Sequence, residues 1–339
     1  MSNPKPSRYE DAGVSIDAGQ QTVDLIKKAV QRTHGPNVLA GVGAFGGLFA
    51  LDDLGPHPAL VASTDGVGTK VALAAQRGRY RSIGHDLVNH CVNDILCAGA
   101  DVKPLFFLDY VASGRLEPAH VAATVTGLAE ACEAVGCALL GGETAEMPGV
   151  YQPGAFDLVG TIVGLVDHTR RYPFTSLSAG DVLLALPSSG PHTNGYSLIR
   201  KLVENVSLDE EIEGVGKLGE VVLEPHRCYL ADLRKLATAD VLVHSLAHIT
   251  GGGLVDNLPR ALPDGLSARI DTSSWTVPPL FRFLQQQGDI DTEEMFRVFN
   301  MGVGMIAVIP ADACDAALVA LSDSWLIGEV VEGDTLQWT

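Results

Sequence analysis

Residues 63–70 read STDGVGTK and follow directly on the apolar run PALVA at 58–62. An apolar strand that ends in a glycine turn and leads into the helix-like stretch VALAAQRG at 71–78 is typical of a phosphate-binding turn in an α/β sheet. The turn is not a Walker A loop, because that motif needs G-x-x-x-x-G-K-S/T, whereas here Lys70 follows Thr69. Asp65 also stands where a P-loop has no acid, so we expect another way of holding phosphate.

On both sides of this turn, apolar strands alternate with segments of helical period. Before residue 167 the pattern predicts helices at 19–34, about 84–98 and 117–135 and strands at 59–64, 105–111, 137–142 and 158–166. The polar stretch 167–181 breaks the pattern, and a strand at 182–187 then starts a second alternating series, which includes a strand at 303–310. We therefore predict a mixed α/β (α+β) fold of two domains, 1–170 and 171–339, each a mixed β-sheet with helices packed on it.

The chain is strongly acidic. Its 339 residues include 23 basic and 41 acidic side chains, a formal charge of −18. This charge repels nucleic acid and anionic membrane surfaces, so an anionic substrate would need backbone N–H nests, a few placed cations or a bound metal ion. None of the six cysteines forms a C-x-x-C pair, which favours reduced thiols. The polar N-terminus and the lack of an apolar run of ~18 residues predict a cytoplasmic protein without a membrane span.

One glycine motif is misleading. Residues 41–46, GVGAFG, match G-x-G-x-x-G, but the dinucleotide fingerprint needs a strand before it and a helix after it. Here a predicted helix and His34-Gly35-Pro36 precede the glycines, and DDLGPHP at 52–58 follows them. A dinucleotide site is therefore disfavoured, and we interpret the segment as a flexible loop or as a glycine-rich lid over an anionic ligand.

The helix predicted near 84–98 carries an unusual polar face. Asp86, Asn89, His90 and Asn93 recur at i, i+3, i+4 and i+7, and Asp94 lies at the edge of the same face. A solvated helix face usually holds long, good helix formers, whereas this one holds short carboxylates, carboxamides and an imidazole. A solvated face is the alternative, but we expect this stripe to face a ligand or a metal ion.

Three carboxylates are predicted to converge. Asp65 follows one predicted strand, Glu143 follows another within GGETAEMPG at 141–149, and Asp94 lies on the polar helix. Open α/β sheets place ligand sites where strands end. Hard carboxylate oxygens suit Mg²⁺, through which an acidic protein can bind a polyphosphate. For Glu143, an ordinary polar turn is the alternative.

Two turns in the second half have the character of anion-binding sites. SSGPHTNGYSLIRK at 188–201 places small polar residues before a predicted helix, and TGGG at 250–253 places three glycines before another. A plain helix N-cap with Thr250 and one glycine is the alternative for the second turn. His192 and His248 lie in or near these turns, where a histidine is either solvated or active in proton transfer.

These segments occur in one order over nearly the whole chain, and together they resemble the phosphoribosylformylglycinamidine cyclo-ligase (AIR synthetase) family. The resemblance rests on STDGVGTK, HDLVNHCVNDIL, PLFFLDY, GGETAEMPG, SSGPHTNGYSLIRK, HITGGG and FNMGVGMI, and on the early pattern from Tyr9 to Gly19. GGETAEMPG and SSGPHTNGYSL are specific to this family, whereas the DGVGTK-like turn belongs to a wider superfamily. The loosest match lies at 167–178.

The resemblance implies a reaction and an assembly. Members of the family use ATP to convert formylglycinamidine ribonucleotide into 5-aminoimidazole ribonucleotide, ADP and phosphate, through an iminophosphate, in purine biosynthesis. Their ATP site lies between two N-terminal domains. We therefore expect a homodimer that uses ATP and Mg²⁺ and has no nucleic-acid partner.

The resemblance also implies the site residues, by motif. The nucleotide site would comprise Lys27, Gly41, Gly43, Gly46, Thr64, Asp65, Gly66, Gly68, Thr69, Lys70, Asn93, Asp109 and Glu143. The Mg²⁺ ligands would be Asp65, Asp94 and Glu143. The substrate phosphate would bind to Ser188, Ser189, Gly190, Asn194, Thr250, Gly251, Gly252 and Gly253. The catalytic groups would be His192, His248, Asp94 and Lys27.

Three alternatives to this family are weighed. A selenophosphate synthetase would need a reactive cysteine near the N-terminus, whereas the first cysteine here is Cys91. A thiamine-phosphate kinase lacks the combination of GGETAEMPG and SSGPHTNGYSL. A non-catalytic nucleotide-binding homologue is disfavoured because the carboxylates, the lysines and both histidines are all present.

Overall fold

The computed structural model describes residues 15–44, 46–52, 54–152 and 154–339. The part of the early motif that precedes residue 15 and the phenylalanine of the 41–46 glycine motif lie outside the described residues. Within the described residues, no helix combines the length and the apolar character that a membrane crossing requires.

The chain divides into two compact units, and neither is one continuous stretch. The first contains the residues up to Leu54 with Ala62–Cys91 and Pro104–Val163, and the second contains Gly55–Val61, Val92–Lys103 and Gly164–Thr339. Single strands and one helix therefore contribute residues to both units. The division into two continuous domains, 1–170 and 171–339, stays a prediction.

The helices and strands up to residue 167 are as follows. The helices are α1 (Ile16–Arg32), α2 (Lys70–Gln76), α3 (Tyr80–Leu96) and α4 (Pro118–Val135). The strands are β1 (Val38–Ala40), β2 (Leu48–Phe49), β3 (Pro58–Gly66), β4 (Lys103–Ser113), β5 (Ala138–Glu146) and β6 (Phe156–Asp167). β1 and β2 form an antiparallel hairpin around the glycine motif, and the other four form a sheet in the order β3-β6-β4-β5 with β4 and β5 parallel.

Periodicity and close packing explain the elements that hold the first unit together. β6 alternates buried and half-buried residues along FDLVGTIVGLVD, as a strand with one face on a core does. α4 begins with Pro118 at its first turn and ends at Gly136, whose φ of 74° is a left-handed helix stop. α3 and α4 approach closely at Gly84. A Cβ at this position would lie 2.4 Å from the Thr124 carbonyl oxygen, so only glycine fits there.

After residue 167, short helices surround a larger sheet. The helices are α5 (Tyr196–Leu202), α6 (Leu218–Val221), α7 (Leu230–Thr238), α8 (Gly253–Asn257), α9 (Pro279–Gly288), α10 (Thr292–Val298) and α11 (Cys314–Ala320). The strands are β7 (Val182–Pro187), β8 (Glu211–Ile212), β9 (Gly216–Lys217), β10 (Ser245–His248), β11 (Leu266–Ile270), β12 (Val303–Ile309), β13 (Trp325–Glu332) and β14 (Gln337–Trp338).

The six-stranded sheet of the second unit runs β10-β12-β7-β13-β11-β14. Its neighbouring strands are antiparallel except for the parallel pair β11 and β14. Every residue of β12 is buried, as a central strand covered on both faces requires. The core of this unit packs β7 and β12 against Leu254 and Leu258, which follow the 250–253 glycine turn. The turn is therefore anchored to the sheet by the apolar residues behind it.

The predicted fold class, a mixed α/β fold with sheets covered by helices, is confirmed. Several predicted ends differ: the first helix begins at Ile16 rather than 19, and α3 begins at Tyr80 rather than about 84. Asp65 and Glu143 were expected just past strand ends, and both lie inside longer strands, β3 and β5. The pattern did not predict β11 and β13, two strands of the larger sheet.

Candidate functional site

In the first unit, Asp65 lies near the end of β3 and contacts α3. Its Oδ1 accepts the Gly66 backbone N–H at 2.6 Å, and its Oδ2 lies 2.8 Å from Nε2 of His90. His90 is buried, whereas the Asp65 side chain is 42% exposed. The carboxylate is thus oriented from behind and reaches solvent in front, which suits a group that meets a ligand.

Lys70, expected in the nucleotide site, has a buried carboxylate partner that the sequence did not reveal. Its Nζ lies 2.8 Å from Oδ1 of Asp86, and both side chains are completely buried. Lys70 is the first residue of α2, and Asp86 lies on α3. The ammonium therefore stabilises the packing of α2 on α3, and its contact with a nucleotide stays a prediction.

The strand order bears on the predicted carboxylate cluster. β3 and β5, which carry Asp65 and Glu143, are the two edge strands of the four-stranded sheet. Three strand spacings separate them, about 14 Å, whereas two oxygens on one Mg²⁺ ion lie roughly 4 Å apart at most. Asp65 and Glu143 therefore lie on opposite edges of the sheet of one chain, and their joint role at one ion stays a prediction.

Asp109 faces Gly142 across the parallel β4–β5 pair. A Cβ at Gly142 would lie 2.3 Å from Oδ1 of Asp109, so glycine is what leaves room for this carboxyl. Burial raises the pKa of Asp109 to about 7. The carboxyl therefore changes its charge near neutral pH.

The other nucleotide-site predictions for the first unit fall on α1, the hairpin, β3 and the turn after it. Lys27 is exposed on α1, and Gly41, Gly43 and Gly46 lie in or near the hairpin. Thr64 is exposed, and its Oγ1 lies 2.8 Å from Oγ1 of Thr161. Gly66 ends β3, and Gly68 and Thr69 follow it in the turn before α2. Their nucleotide contacts stay predictions.

In the second unit, the last turns of α3 contribute Asn93 and Asp94. The Asn93 carboxamide donates to the Arg227 carbonyl at 2.8 Å and accepts the Tyr229 N–H at 3.0 Å, and the side chain is buried. Both ends of the carboxamide thus fix the segment that carries residues 227–229. This is a positioning contact that the predicted place of Asn93 in the nucleotide site did not anticipate.

Asp94 is the end of a string of hydrogen bonds that contains two histidines. Its Oδ1 lies 2.8 Å from Nδ1 of His248, and Nε2 of His248 lies 3.0 Å from Nε2 of His226. Nδ1 of His226 lies 3.5 Å from Oγ1 of Thr193. The histidines are buried, while Asp94 is 28% exposed. The string therefore runs from the interior of the unit to a carboxylate that solvent reaches.

His192 packs on the same string in a strained backbone conformation. Its ring stacks on His226 with centroids 3.8 Å apart, and its Nε2 accepts the Ser189 N–H at 3.2 Å. Its φ of 61° lies in the left-handed region, which is unusual for a residue with a side chain. A Cβ at Gly304 would lie 2.7 Å from Cε1 of His192, so a glycine of the FNMGVGMI motif provides the space for this ring.

One ring nitrogen from each of the three histidines lies within 4.8 Å of the other two. Three imidazoles are a donor set that suits Zn²⁺. In this arrangement, however, Nε2 of His226 and Nε2 of His248 face each other at 3.0 Å, and Nε2 of His192 accepts the Ser189 N–H. The geometry is that of a hydrogen-bonded string.

The predicted glycine turn is organised by Asn257. The Asn257 side-chain amide donates to the carbonyl oxygens of Thr250, Gly251 and Gly253 at 3.4, 3.1 and 2.9 Å. A planar peptide points its N–H opposite to its carbonyl, so the N–H groups that follow the first two carbonyls point away from Asn257. That side of the turn is an N–H nest of the kind that binds anions.

The two predicted phosphate segments meet in this unit. A Cβ at Gly251 would lie 3.3 Å from Oδ1 of Asn194, which places Asn194 beside the glycine turn. Ser188 Oγ donates to Oδ1 of Asn300, and the Asn300 amide donates to the Gly190 carbonyl. Ser189 Oγ donates to the Pro225 carbonyl. The structure thus brings the 188–194 segment together with the glycine turn, while phosphate binding by them stays a prediction.

Three site residues were missed from the sequence: His226, Asn257 and Asn300. His226 lies in a segment without a glycine cluster or a repeated polar spacing, whereas Asn257 follows the 250–253 glycine turn and Asn300 lies within FNMGVGMI. The partners named above lie 4 to 112 residues away along the chain, from Gly253 for Asn257 to Ser188 for Asn300. The one available signal was the residue types themselves, an imidazole and two carboxamides near strongly marked motifs.

Comparison with known proteins gives two family models that together span most of the chain. The N-terminal domain of AIR synthase related proteins matches residues 45–166, and the C-terminal domain matches residues 178–339. The chain is 50% identical over 334 residues to the phosphoribosylformylglycinamidine cyclo-ligase of Aromatoleum aromaticum, covering 98% of this chain and 94% of that protein. It is 47% identical over 331 residues to the enzyme of that name from Thermosynechococcus vestitus, covering 96% of each.

Among solved structures, the chain is similar to the thiamine-monophosphate kinase of Stenotrophomonas maltophilia K279a. The TM-score is 0.69 at 17% identity, covering 94% of this chain and 95% of that one. At this identity the likeness concerns the fold alone.

Proposed function

Because the chain belongs to the phosphoribosylformylglycinamidine cyclo-ligase family, we propose that it closes the imidazole ring of 5-aminoimidazole ribonucleotide. In this reaction ATP phosphorylates the formyl amide oxygen of formylglycinamidine ribonucleotide, the amidine nitrogen attacks the activated carbon, and phosphate leaves. The products are 5-aminoimidazole ribonucleotide, ADP and phosphate. The observation that carries the proposal is the identity of 50% and 47%, over nearly the full chain, to two enzymes of this name.

The chemistry asks the protein mainly to orient groups and to balance charge. Phosphorylation turns a poor oxygen leaving group into a good one, so no covalent enzyme intermediate is required. What the chain must supply is binding of two phosphorylated molecules, their alignment, and a path for the proton released when the ring closes.

The 250–253 turn is proposed to bind the ribose phosphate of the substrate. Support comes from Asn257, which holds three carbonyl oxygens of the turn and directs the N–H groups of Gly251 and Gly252 the other way. Asn194 lies beside the same turn. Such a nest explains how a chain of charge −18 could bind an anion without a cluster of lysines.

His248 and His192 are proposed as the groups near ring closure, with His248 in proton transfer. The Asp94–His248 contact resembles the carboxylate–imidazole pairs that fix a tautomer and orient a base. A buried imidazole beside a part-exposed carboxylate could hold a proton and pass it toward solvent. His192 is oriented by the Ser189 N–H and by stacking on His226.

ATP is proposed to bind in the first unit, with a second chain completing the site. Leu39, Leu48 and Leu108 are exposed leucines of β1, β2 and β4, which favours a covered face in a homodimer. Asp65 and Glu143 offer hard carboxylate oxygens for Mg²⁺, one from each chain, and Mg²⁺ when bound would neutralise phosphate charge. The mass of the protein in solution checks the dimer, and a monomer at micromolar concentration would refute it.

The decisive experiment is turnover of formylglycinamidine ribonucleotide with Mg-ATP in the purified protein. We expect ADP and 5-aminoimidazole ribonucleotide to appear in equal amounts, and no ADP when the ribonucleotide is omitted. ATP consumption without imidazole formation would assign the chain to another reaction of the superfamily. No ATP consumption at all would overturn the proposal. We also propose that the reaction takes place in the cytoplasm.

A further inference from the structure

His226 lies at the centre of the buried histidine group. On one side its Nε2 is 3.0 Å from Nε2 of His248, and on the other its ring stacks on His192 at a centroid distance of 3.8 Å and an angle of 19°. It is itself 1% exposed. Both histidines that were predicted to be catalytic therefore contact this one residue, which no sequence motif singled out.

The chemistry of the partners sets the direction of the hydrogen bonds. A carboxylate can only accept, so Nδ1 of His248 carries the proton that it shares with Asp94. In the neutral imidazole, Nε2 of His248 is then the acceptor, so His226 must donate from its own Nε2. Nδ1 of His226 is left as an acceptor, and the Thr193 hydroxyl lies next to it. One set of tautomers thus satisfies all three contacts.

We infer that His226 is a positioning residue, which holds His248 in the tautomer and orientation that its proton transfer requires. The inference rests on the proposed function, because it concerns the same reaction. A neutral residue that could not donate at this position would leave Nε2 of His248 facing an apolar group, and the ring could then turn away from Asp94. His226 acts on the reaction through His248 and does not touch the substrate in this role.

The two contacts of His226 can be separated by substitution. His226→Gln keeps an N–H donor at about the reach of Nε2 but lacks a ring to stack on His192. His226→Phe keeps a ring of similar shape but has no donor. If positioning of His248 is what matters, the glutamine variant should keep far more activity than the phenylalanine variant.

The matched control is His244→Phe in the same unit. Nδ1 of His244 lies 2.7 Å from Oδ2 of Asp181, and both groups are buried, so the pair resembles His248–Asp94 without contacting the histidine string. His244→Phe removes a comparable buried hydrogen bond. It therefore measures what a loss of structure alone does to turnover.

The experiment measures kcat and KM of the full-length protein and its variants with formylglycinamidine ribonucleotide and Mg-ATP. For His226→Phe we expect kcat to fall ~10²-fold or more, the size of a general acid–base contribution, with KM for both substrates little changed. For His226→Gln we expect kcat within about tenfold of the original protein. Equal kcat in the phenylalanine variant and the original protein, or equal losses in the two variants, would overturn the inference.

A second measurement does not depend on activity. Proton NMR of the intact protein should show hydrogen-bonded imidazole N–H signals at low field, and the signal from the His248–Asp94 bond should persist in His226→Gln and be lost in His226→Phe. Its persistence in both variants would contradict the positioning role. If the original protein shows no turnover, the proposed function fails, whereas this spectroscopic comparison still decides the role of His226.

Discussion

Two aspartates on α3, two helical turns apart, meet opposite environments. In the first unit Asp86 is fully buried against the ammonium of Lys70. In the second unit Asp94 is 28% exposed and contacts His248, which in turn contacts His226. A fixed cation balances the first carboxylate, while the second meets a group that can gain or lose a proton. One face of one helix thus carries a buried ion pair at one end and a part-exposed carboxylate beside a histidine at the other.

The polar stripe of α3 contains two kinds of carboxylate, one buried and one that solvent reaches. A buried ion pair such as Lys70–Asp86 is costly to break, although it adds little compared with apolar residues of the same size. A carboxylate that solvent reaches can be replaced with little loss of stability, because water compensates for the missing contact. The two aspartates should therefore respond in opposite ways when each is substituted, in stability for Asp86 and in activity for Asp94.

The largest effect on stability is expected for Asp86→Ala. The substitution removes the carboxylate that the buried ammonium of Lys70 contacts at 2.8 Å. Breaking one partner of a buried pair typically costs about 3–5 kcal/mol of unfolding free energy. Urea unfolding followed by circular dichroism measures the change.

The control for Asp86→Ala is the double variant Lys70→Met with Asp86→Leu. It removes both charges together, so most of the lost stability should return if the ion pair is the cause. A single variant that loses less than about 1 kcal/mol would show that the pair is not a structural element.

An intermediate effect on stability and a large one on activity are expected for Asp94→Asn. The carboxamide oxygen can still accept the Nδ1 proton of His248, so the free energy of unfolding should fall by about 1 kcal/mol or less. Turnover should fall by ~10²-fold or more, because the negative charge that orients and stabilises the histidine is gone.

Asp101→Asn is the matched control for Asp94→Asn. Asp101 belongs to the same unit, is exposed and pairs with Arg170 on the surface, and asparagine tolerates its φ of 58°. Its turnover should be unchanged. Equal turnover in Asp94→Asn and Asp101→Asn would show that Asp94 is not part of the site. The polar face of α3 would then be structural only.

The sequence sufficed for the parts of the fold that local patterns encode. Long periodic segments such as α4 and the buried strand β12 were predicted within a residue or two of their observed ends. β11 and β13 were not, because LSARI has only five residues and includes a charge, and WLIGEVVE is interrupted by glycine and charge. Both segments are extended because they pair with neighbouring strands of the sheet, and such pairing leaves little signal in the local sequence.

The motifs of the site could be predicted from the sequence, whereas the contacts between its residues could not. The polar stripe of α3 could be recognised by spacing, but whether a residue faces a cation or a ligand depends on residues far away in the chain. Asn93 contacts Arg227 and Tyr229, 134 and 136 residues further on, and Asp94 contacts His248, 154 residues further on. His226 was missed for the same reason, because a single histidine without a repeated spacing carries no local signal.

Asp109 is a third carboxyl, and burial is the main influence on its pKa. Burial raises its pKa from 3.8 to about 7. Between these two values the folded protein binds more protons at this site than the unfolded chain, so stability falls as pH rises from about 4 to about 7 and then levels off. The opposite sign would apply to a carboxylate whose pKa is lowered by a cation.

The smallest effect is therefore expected for Asp109→Asn, and it should depend on pH. Near pH 4 the original carboxyl is neutral like the carboxamide, so the two proteins should unfold with similar free energies. Near pH 8 the variant should be more stable, on the order of 1 kcal/mol because water reaches part of the side chain. Urea unfolding of both proteins across this range, with Asp240→Asn as an exposed control, measures the difference. A difference that does not change with pH would mean that the Asp109 carboxyl is ionised throughout and that the β4–β5 pair does not oppose its charge.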